Sequence, residues 1–161
     1  MVTTPYSVST TLPNQVPKVF GAVSIDAIAG NTNMKIGVST GAAGLDYSIG
    51  QDGVVEPGGS TGPSYIARSC VVFAYDQNTG NLWIGIANQN IAINWVGGGD
   101  PGAGTNPSFS GLSGSQYITV QAGPFTDLGT VTLYATLAEL QSSGFSILYP
   151  PPSGYSSWSG Q

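Results

Sequence analysis

Residues 68–95, RSCVVFAYDQNTGNLWIGIANQNIAINW, decide how this chain folds. Two runs rich in β-branched and aromatic residues flank a polar stretch, Asp76-Gln77-Asn78-Thr79-Gly80-Asn81. Such runs, split by a few turn residues that include Gly, read as a β-hairpin, with strands at about 66–75 and 81–93. Both faces of each strand are apolar. Val71, Phe73 and Tyr75 oppose Cys70, Val72 and Ala74, while Leu82, Ile84 and Ile86 oppose Trp83. Strands of this kind sit centrally in a sheet and are covered on both sides.

Shorter strands surround the hairpin. On the N-terminal side they are expected at 19–28, 33–39 and 45–49. In the first, Val19, Val23 and Ile25 share one face and Phe20 and Ile28 the other. Residues 50–64 and 96–116 read as loops from their Gly, Pro and Ser content, the second pinned to the body by Phe109 and Leu112. Further strands are expected at 117–122, 129–135 and 145–149. Thr136-Leu137-Ala138-Glu139 matches a capping box and predicts one helical turn at 137–142. The C-terminal PPPSGYSSWSGQ is loop-like, with Tyr155 and Trp158 as packing anchors. Many short strands separated by turn signals predict an all-β, antiparallel β-sandwich spanning residues 18–161. Residues 1–17, with Pro5, Pro13 and Pro17, predict an extended N-terminal arm.

Composition narrows the function classes. Only 7% of the 161 residues are charged, against roughly a quarter in ordinary soluble domains. Polarity comes from Ser, Thr, Asn, Gln and 24 glycines, which suits a particle-bound or extracellular β protein. Net charge is −5 with three cationic residues, Lys18, Lys35 and Arg68. That set cannot form the basic footprint of a nucleic-acid binder or a polybasic membrane anchor. No apolar run approaches a membrane span. The first residues lack the basic and apolar regions of a secretory signal.

Chemistry finds little purchase. There is no His, so Ser-His-Asp and Cys-His arrangements are excluded. Cys70 is the single cysteine and forms no intrachain disulfide; it reads as a small buried hydrophobe. The acidic residues mostly lie in turns, where Asp bonds its own backbone. Residues 97–105, GGGDPGAGT, lack the ending of a P-loop. Asp76-Gln77-Asn78-Thr79-Gly80 lacks the ligand density of a calcium loop. No catalytic, metal or cofactor site is expected. Calcium at Asp100 or Asp127 stays open, because oxygen sites leave weak sequence traces.

Several segments, in order, resemble the SPRY family. Residues 18–25, KVFGAVSI, resemble its opening strand, K-W-Y-F-E-V-x-I. Residues 34–39, MKIGVS, resemble the next strand with its I-G-V/I-A core. Residues 72–83 resemble the A-x-D…T-G-x-L-W-F hairpin. Residues 100–105 and 109–112 resemble a loop of SPRY-like modules in phage and bacterial proteins, and 145–158 their closing strand. The resemblance covers about 18–158. Departures are Val19 and Gly21 in place of bulky aromatics, and an insertion at 137–144. It implies a concanavalin A-like jelly-roll sandwich of two antiparallel sheets whose role is binding rather than catalysis.

The expectation that follows is a non-enzymatic structural protein on the exterior of a tailed-phage virion, a capsid decoration or head-fibre protein made in the host cytoplasm without a signal peptide. The arm, through Tyr6, Val8, Leu12 and Val16, would dock on capsid or tail proteins by strand addition. The alternative is a tail-fibre or tail-tip module recognising host-surface glycan. Its candidate ligand residues are Tyr47, Tyr65, Trp95, Asp100, Asn106 and Phe109. Oligomeric state is not readable; a homotrimer is a family-level expectation without heptads to support it.

Overall fold

The computed structural model describes residues 7–9, 16–29, 34–41, 44–88, 92–121, 128–134, 137–142 and 151–158. The first strands are β1 (Ser7–Ser9), β2 (Lys18–Ala29), β3 (Lys35–Ser39), β4 (Tyr47–Gly50), β5 (Val54–Glu56) and β6 (Ser60–Thr61). They are followed by β7 (Cys70–Asp76), β8 (Asn81–Ala87), β9 (Asn94–Trp95), β10 (Tyr117–Gln121), β11 (Leu128–Tyr134), α1 (Leu137–Ser142) and β12 (Ser156–Ser157). One sheet runs β1-β10-β3-β4-β5-β6; the other runs β11-β2-β7-β8-β9, with β12 parallel to the start of β2. The fold is an antiparallel β-sandwich.

The hairpin occupies the predicted place. β7 is the middle strand of its sheet and all seven of its residues are buried. Alternation divides its side chains between two apolar clusters. Val71, Phe73 and Tyr75, with Leu82, Ile84 and Ile86, enter the core between the sheets, where they meet Ile36, Val38, Ile49 and Ile118. Cys70, Val72, Ala74 and Trp83 face outward, into a second cluster closed by Phe20 and Tyr155. Asp76 shapes the turn: its Oδ1 accepts the Asn78 N–H at 3.0 Å, and Gly80 takes φ 68°.

Strand β2 departs from simple alternation. Its partner register passes from Ile25↔Val131 to Ala27↔Thr130, leaving Asp26 unpaired as a bulge. The extra residue shifts the pleat by one. Ile28 therefore packs on the core between the sheets with Ile25, not on the face of Phe20. Asp26 holds the bulge by accepting the Ser24 hydroxyl at 2.9 Å and the Thr132 hydroxyl at 2.6 Å.

Both expected loops contain pairing. The 50–64 segment holds the β5–β6 hairpin, which extends the first sheet. The 96–116 segment is tied to the hairpin. Leu82 and Phe109 exchange both backbone hydrogen bonds, and Leu112 N–H bonds Gly80 O at 3.0 Å. A Cβ on Gly80 would lie 2.4 Å from Leu112 O, so this close seat requires glycine. Phe109 and Leu112 do pack on the core.

At the ends of the chain, α1 forms where the capping box predicted it. Tyr155 and Trp158 are buried anchors, and the segment between them adds strand β12. Within the 1–17 segment, Ser7–Ser9 pairs antiparallel with Thr119–Gln121 in the same chain, and Val16 packs on the core. The strand expected at 145–149 lies outside the described residues, as do Tyr6 and Leu12.

Candidate functional site

Beside the outer edge of β9 lies an open cleft of about 400 Å³. Three segments build it. Ala92 and Ile93 lead into Trp95 on one side, the turn Asp100-Pro101-Gly102 forms the second wall, and Pro151-Pro152-Ser153 the third. This volume lies within the range of about 300–1,000 Å³ usual for small-ligand sites.

Trp95 is placed by its neighbour across the sheet, Gly85. With no side chain on Gly85, the indole lies against that strand: a Cβ there would fall 2.8 Å from Trp95 Cε3 and 2.6 Å from Ile93 Cγ2. Trp95 is only partly buried and lines the cleft. It is thus fixed on the sheet while contributing ring surface to the opening.

The second wall is rigid through the two buried aromatics behind it. Trp83 Nε1–H donates to Thr105 O at 2.8 Å, and the Tyr155 hydroxyl donates to Pro101 O at 3.4 Å. Asp100 and Thr105 bond each other through both backbone pairs at 3.0 Å. Asp100 Oδ1 accepts the Ala103 N–H at 3.0 Å, which closes the turn, while the residue itself is exposed. Among the described residues Asp100 is the one charged residue of the lining, and Lys18, Lys35 and Arg68 all lie elsewhere.

The candidate ligand residues separate. Trp95 and Asp100 meet in the cleft. Asn106 is exposed at φ 46° on the same long segment but outside the lining. Tyr47 and Phe109 pack on one another, ring centroids 4.8 Å apart, against the main core. Tyr65 is fully buried, its hydroxyl donating to Met34 O at 2.6 Å, and burial followed by the Asp52 charge pushes its pKa up. It is a core residue, and loop 50–64 presents no tyrosine there. Ile93, Pro151 and Pro152 carry little signal of a site in the sequence. Only the run of three prolines, 150–152, marked the third wall, and nothing in the chain's order ties it to Trp95.

The described carboxylates are engaged locally. Asp46 Oδ2 accepts the backbone and hydroxyl of Thr40, Asp52 Oδ1 accepts Val54 N–H, and Glu56 pairs with Lys35. Asp76 pairs with Lys18 at 3.4 Å. Among the described residues no group of three His, Cys, Asp or Glu side chains is placed to hold a metal; Asp127 lies outside them. Among the described residues no helix is long and apolar enough to cross a membrane. Burial, with Asp26 nearby, holds the Cys70 thiol well above its ordinary pKa, which keeps it protonated and unreactive.

No protein-family model matches the chain. No curated protein matches it in sequence. Among solved structures, the SPRY domain of human HERC1 superposes with a TM-score of 0.54 at 10% identity, over 80% of this chain and 77% of that one. At that identity the likeness speaks to architecture alone, and with the two antiparallel sheets it makes the fold of this chain a SPRY-like β-sandwich.

Proposed function

We propose that this chain is a non-enzymatic structural protein on the exterior of a tailed-phage particle, a capsid decoration or head-fibre protein attached through its N-terminal segment. The observation that carries this reading is the pairing of Ser7–Ser9 with the edge of β10. A short uncharged segment, far in sequence from its partner strand, joins a sheet through main-chain hydrogen bonds. That is the chemistry of strand addition, and it would serve equally at the sheet edge of a neighbouring capsid or tail protein. The low charge and Gly-rich, Ser-rich surface suit a particle component. The experiment is deletion of residues 2–16, with circular dichroism to verify the sandwich. Loss of loading onto particles by a folded variant is expected; full occupancy removes the docking role.

A second reading is favoured by the cleft: a tail-fibre or tail-tip module that recognises host-surface glycan. A half-exposed tryptophan held on a sheet edge, facing a rigid turn, is a ready stacking platform. Microscopy that locates the protein at the tail rather than the head would favour this reading over the first.

A further inference from the structure

We propose that the cleft between Trp95, the Asp100–Gly102 turn and the Pro151–Ser153 segment binds an uncharged or amino-bearing sugar ring and rejects acidic saccharides. This inference rests on the second reading above and specifies its ligand.

Hydrogen-bonding capacity sets the first restriction. Pro101, Pro151 and Pro152 supply carbonyl oxygens but no N–H, and Asp100 supplies a carboxylate. Asp100 Oδ1 is used by Ala103, and among the described residues no donor takes Oδ2. The lining also holds donors, the Ser153 hydroxyl and the Trp95 indole N–H among them, but its one charged group is an acceptor, so an occupant that covers Asp100 must bring donors. A polyol does so with each hydroxyl; an amino sugar adds an ammonium.

Charge gives the second restriction. Among the described residues the lining carries one negative charge and no positive one, on a chain of net charge −5. A carboxylated or phosphorylated sugar would meet repulsion with no cation to pair it. Shape gives the third. The indole of Trp95 together with Ile93 and the prolines offers apolar surface against which the C–H face of a pyranose packs. An extended peptide is less well served: β9 offers two residues of strand edge, and the prolines deny it main-chain donors. A lone guanidinium would use Trp95 and Asp100 but leave the apolar walls uncovered.

The site is also made in advance. Trp83 and Tyr155 hold the Asp100 turn from behind, and Gly85 seats Trp95, so little ordering remains to oppose binding.

The test is a glycan array of neutral, amino and acidic oligosaccharides probed with the full chain, then titration calorimetry of the best neutral ligand. Wild type, Trp95→Ala, Trp95→Phe and Asp100→Asn are compared. Asp100→Asn keeps an oxygen for the Ala103 N–H, so the turn survives and only the acceptor is changed. Binding of neutral or amino sugars is expected, with at least a ten-fold loss in Trp95→Ala, partial retention in Trp95→Phe and a several-fold loss in Asp100→Asn. Binding confined to acidic glycans, or unchanged in Trp95→Ala and Asp100→Asn, overturns the inference but leaves glycan recognition standing. Silence across the array overturns both. Displacement of a bound sugar by N-acetyl-arginine amide at equal concentration would assign the cleft to a basic peptide instead.

Discussion

The indole of Trp95 lies against the bare backbone of Gly85, its partner across the β8–β9 pair. This pairing lets a bulky ring hug an edge strand and still face the cleft. Gly85→Ala should break it, because the new methyl would stand 2.6–2.8 Å from Ile93 and Trp95. The ring must lift away, since the other contact is a branched side chain. Overpacking of this kind costs about 1–3 kcal/mol. Urea denaturation should show that loss, and tryptophan fluorescence should shift red as Trp95 becomes more exposed. An unchanged spectrum would mean the glycine does not seat the ring.

Behind the opposite wall, Trp83 is the lock. Trp83→Phe removes the Nε1–H that reaches Thr105 O and part of the volume packed against Gly99. The expected destabilisation is about 1–3 kcal/mol. Its location is more diagnostic than its size: the amides of Asp100 and Thr105, which bond each other's carbonyls, should exchange hydrogen faster while those of β7 stay protected. Uniform acceleration throughout would argue for global loosening only.

The hairpin and most of the strand order were legible because two-faced apolar runs leave a direct mark at residues 70–76 and 81–87. The Asp26 bulge was not. One extra residue inverts the alternation downstream, and Asp26 in a strand looks no different from any solvent-facing acid until Ser24 and Thr132 are seen to hold it. The β5–β6 pair hid for another reason: strands of three and two residues separated by Pro and Gly are shorter than the window in which period can be recognised. For the cleft, Trp95 and Asp100 could be nominated because aromatic and acidic residues in loops are conspicuous. Their juxtaposition with Pro151 and Pro152 depends on β12 returning to β2, a long-range pairing that no local pattern encodes.

Alkaline pH should unfold the protein in a defined order. Burial is the main cause that raises the pKa of Cys70, Tyr65 and Tyr155 in the folded chain, with Asp26, Asp52 and Asp76 respectively adding to it. Below their unfolded values all three are protonated in both states and pH has no leverage through them. Above those values the unfolded chain releases its protons first, so stability falls as pH rises. The unfolded thiol titrates near 8.5 and the phenols near 10, each group contributing a slope of about 1.4 kcal/mol per pH unit. The Tm should hold level up to roughly pH 8, decline gently from about 8.5 and steeply from about 10. Cys70→Ala should erase the first decline and keep the second. A Tm that stays level to about pH 11 would contradict the burial of these groups.

Trp158 fills the space that Gly21 leaves. Its ring is fully buried, edge-on to Phe73, with Nε1–H donating to Gln116 O at 3.2 Å. A Cβ on Gly21 would stand 3.2–3.3 Å from Trp158 and 2.6 Å from Ile118 Cδ1. Gly21 and Trp158 are therefore complementary: the bare backbone of β2 leaves the volume that the indole occupies. Trp158→Ala should cost about 3–5 kcal/mol, and Gly21→Phe alone should be destabilising because the site is already full. Combined, the two changes should partly cancel, since each relieves what the other creates. A double-mutant cycle by urea denaturation should return a favourable coupling of about 1–3 kcal/mol. Strict additivity would show that Gly21 and Trp158 do not share one volume.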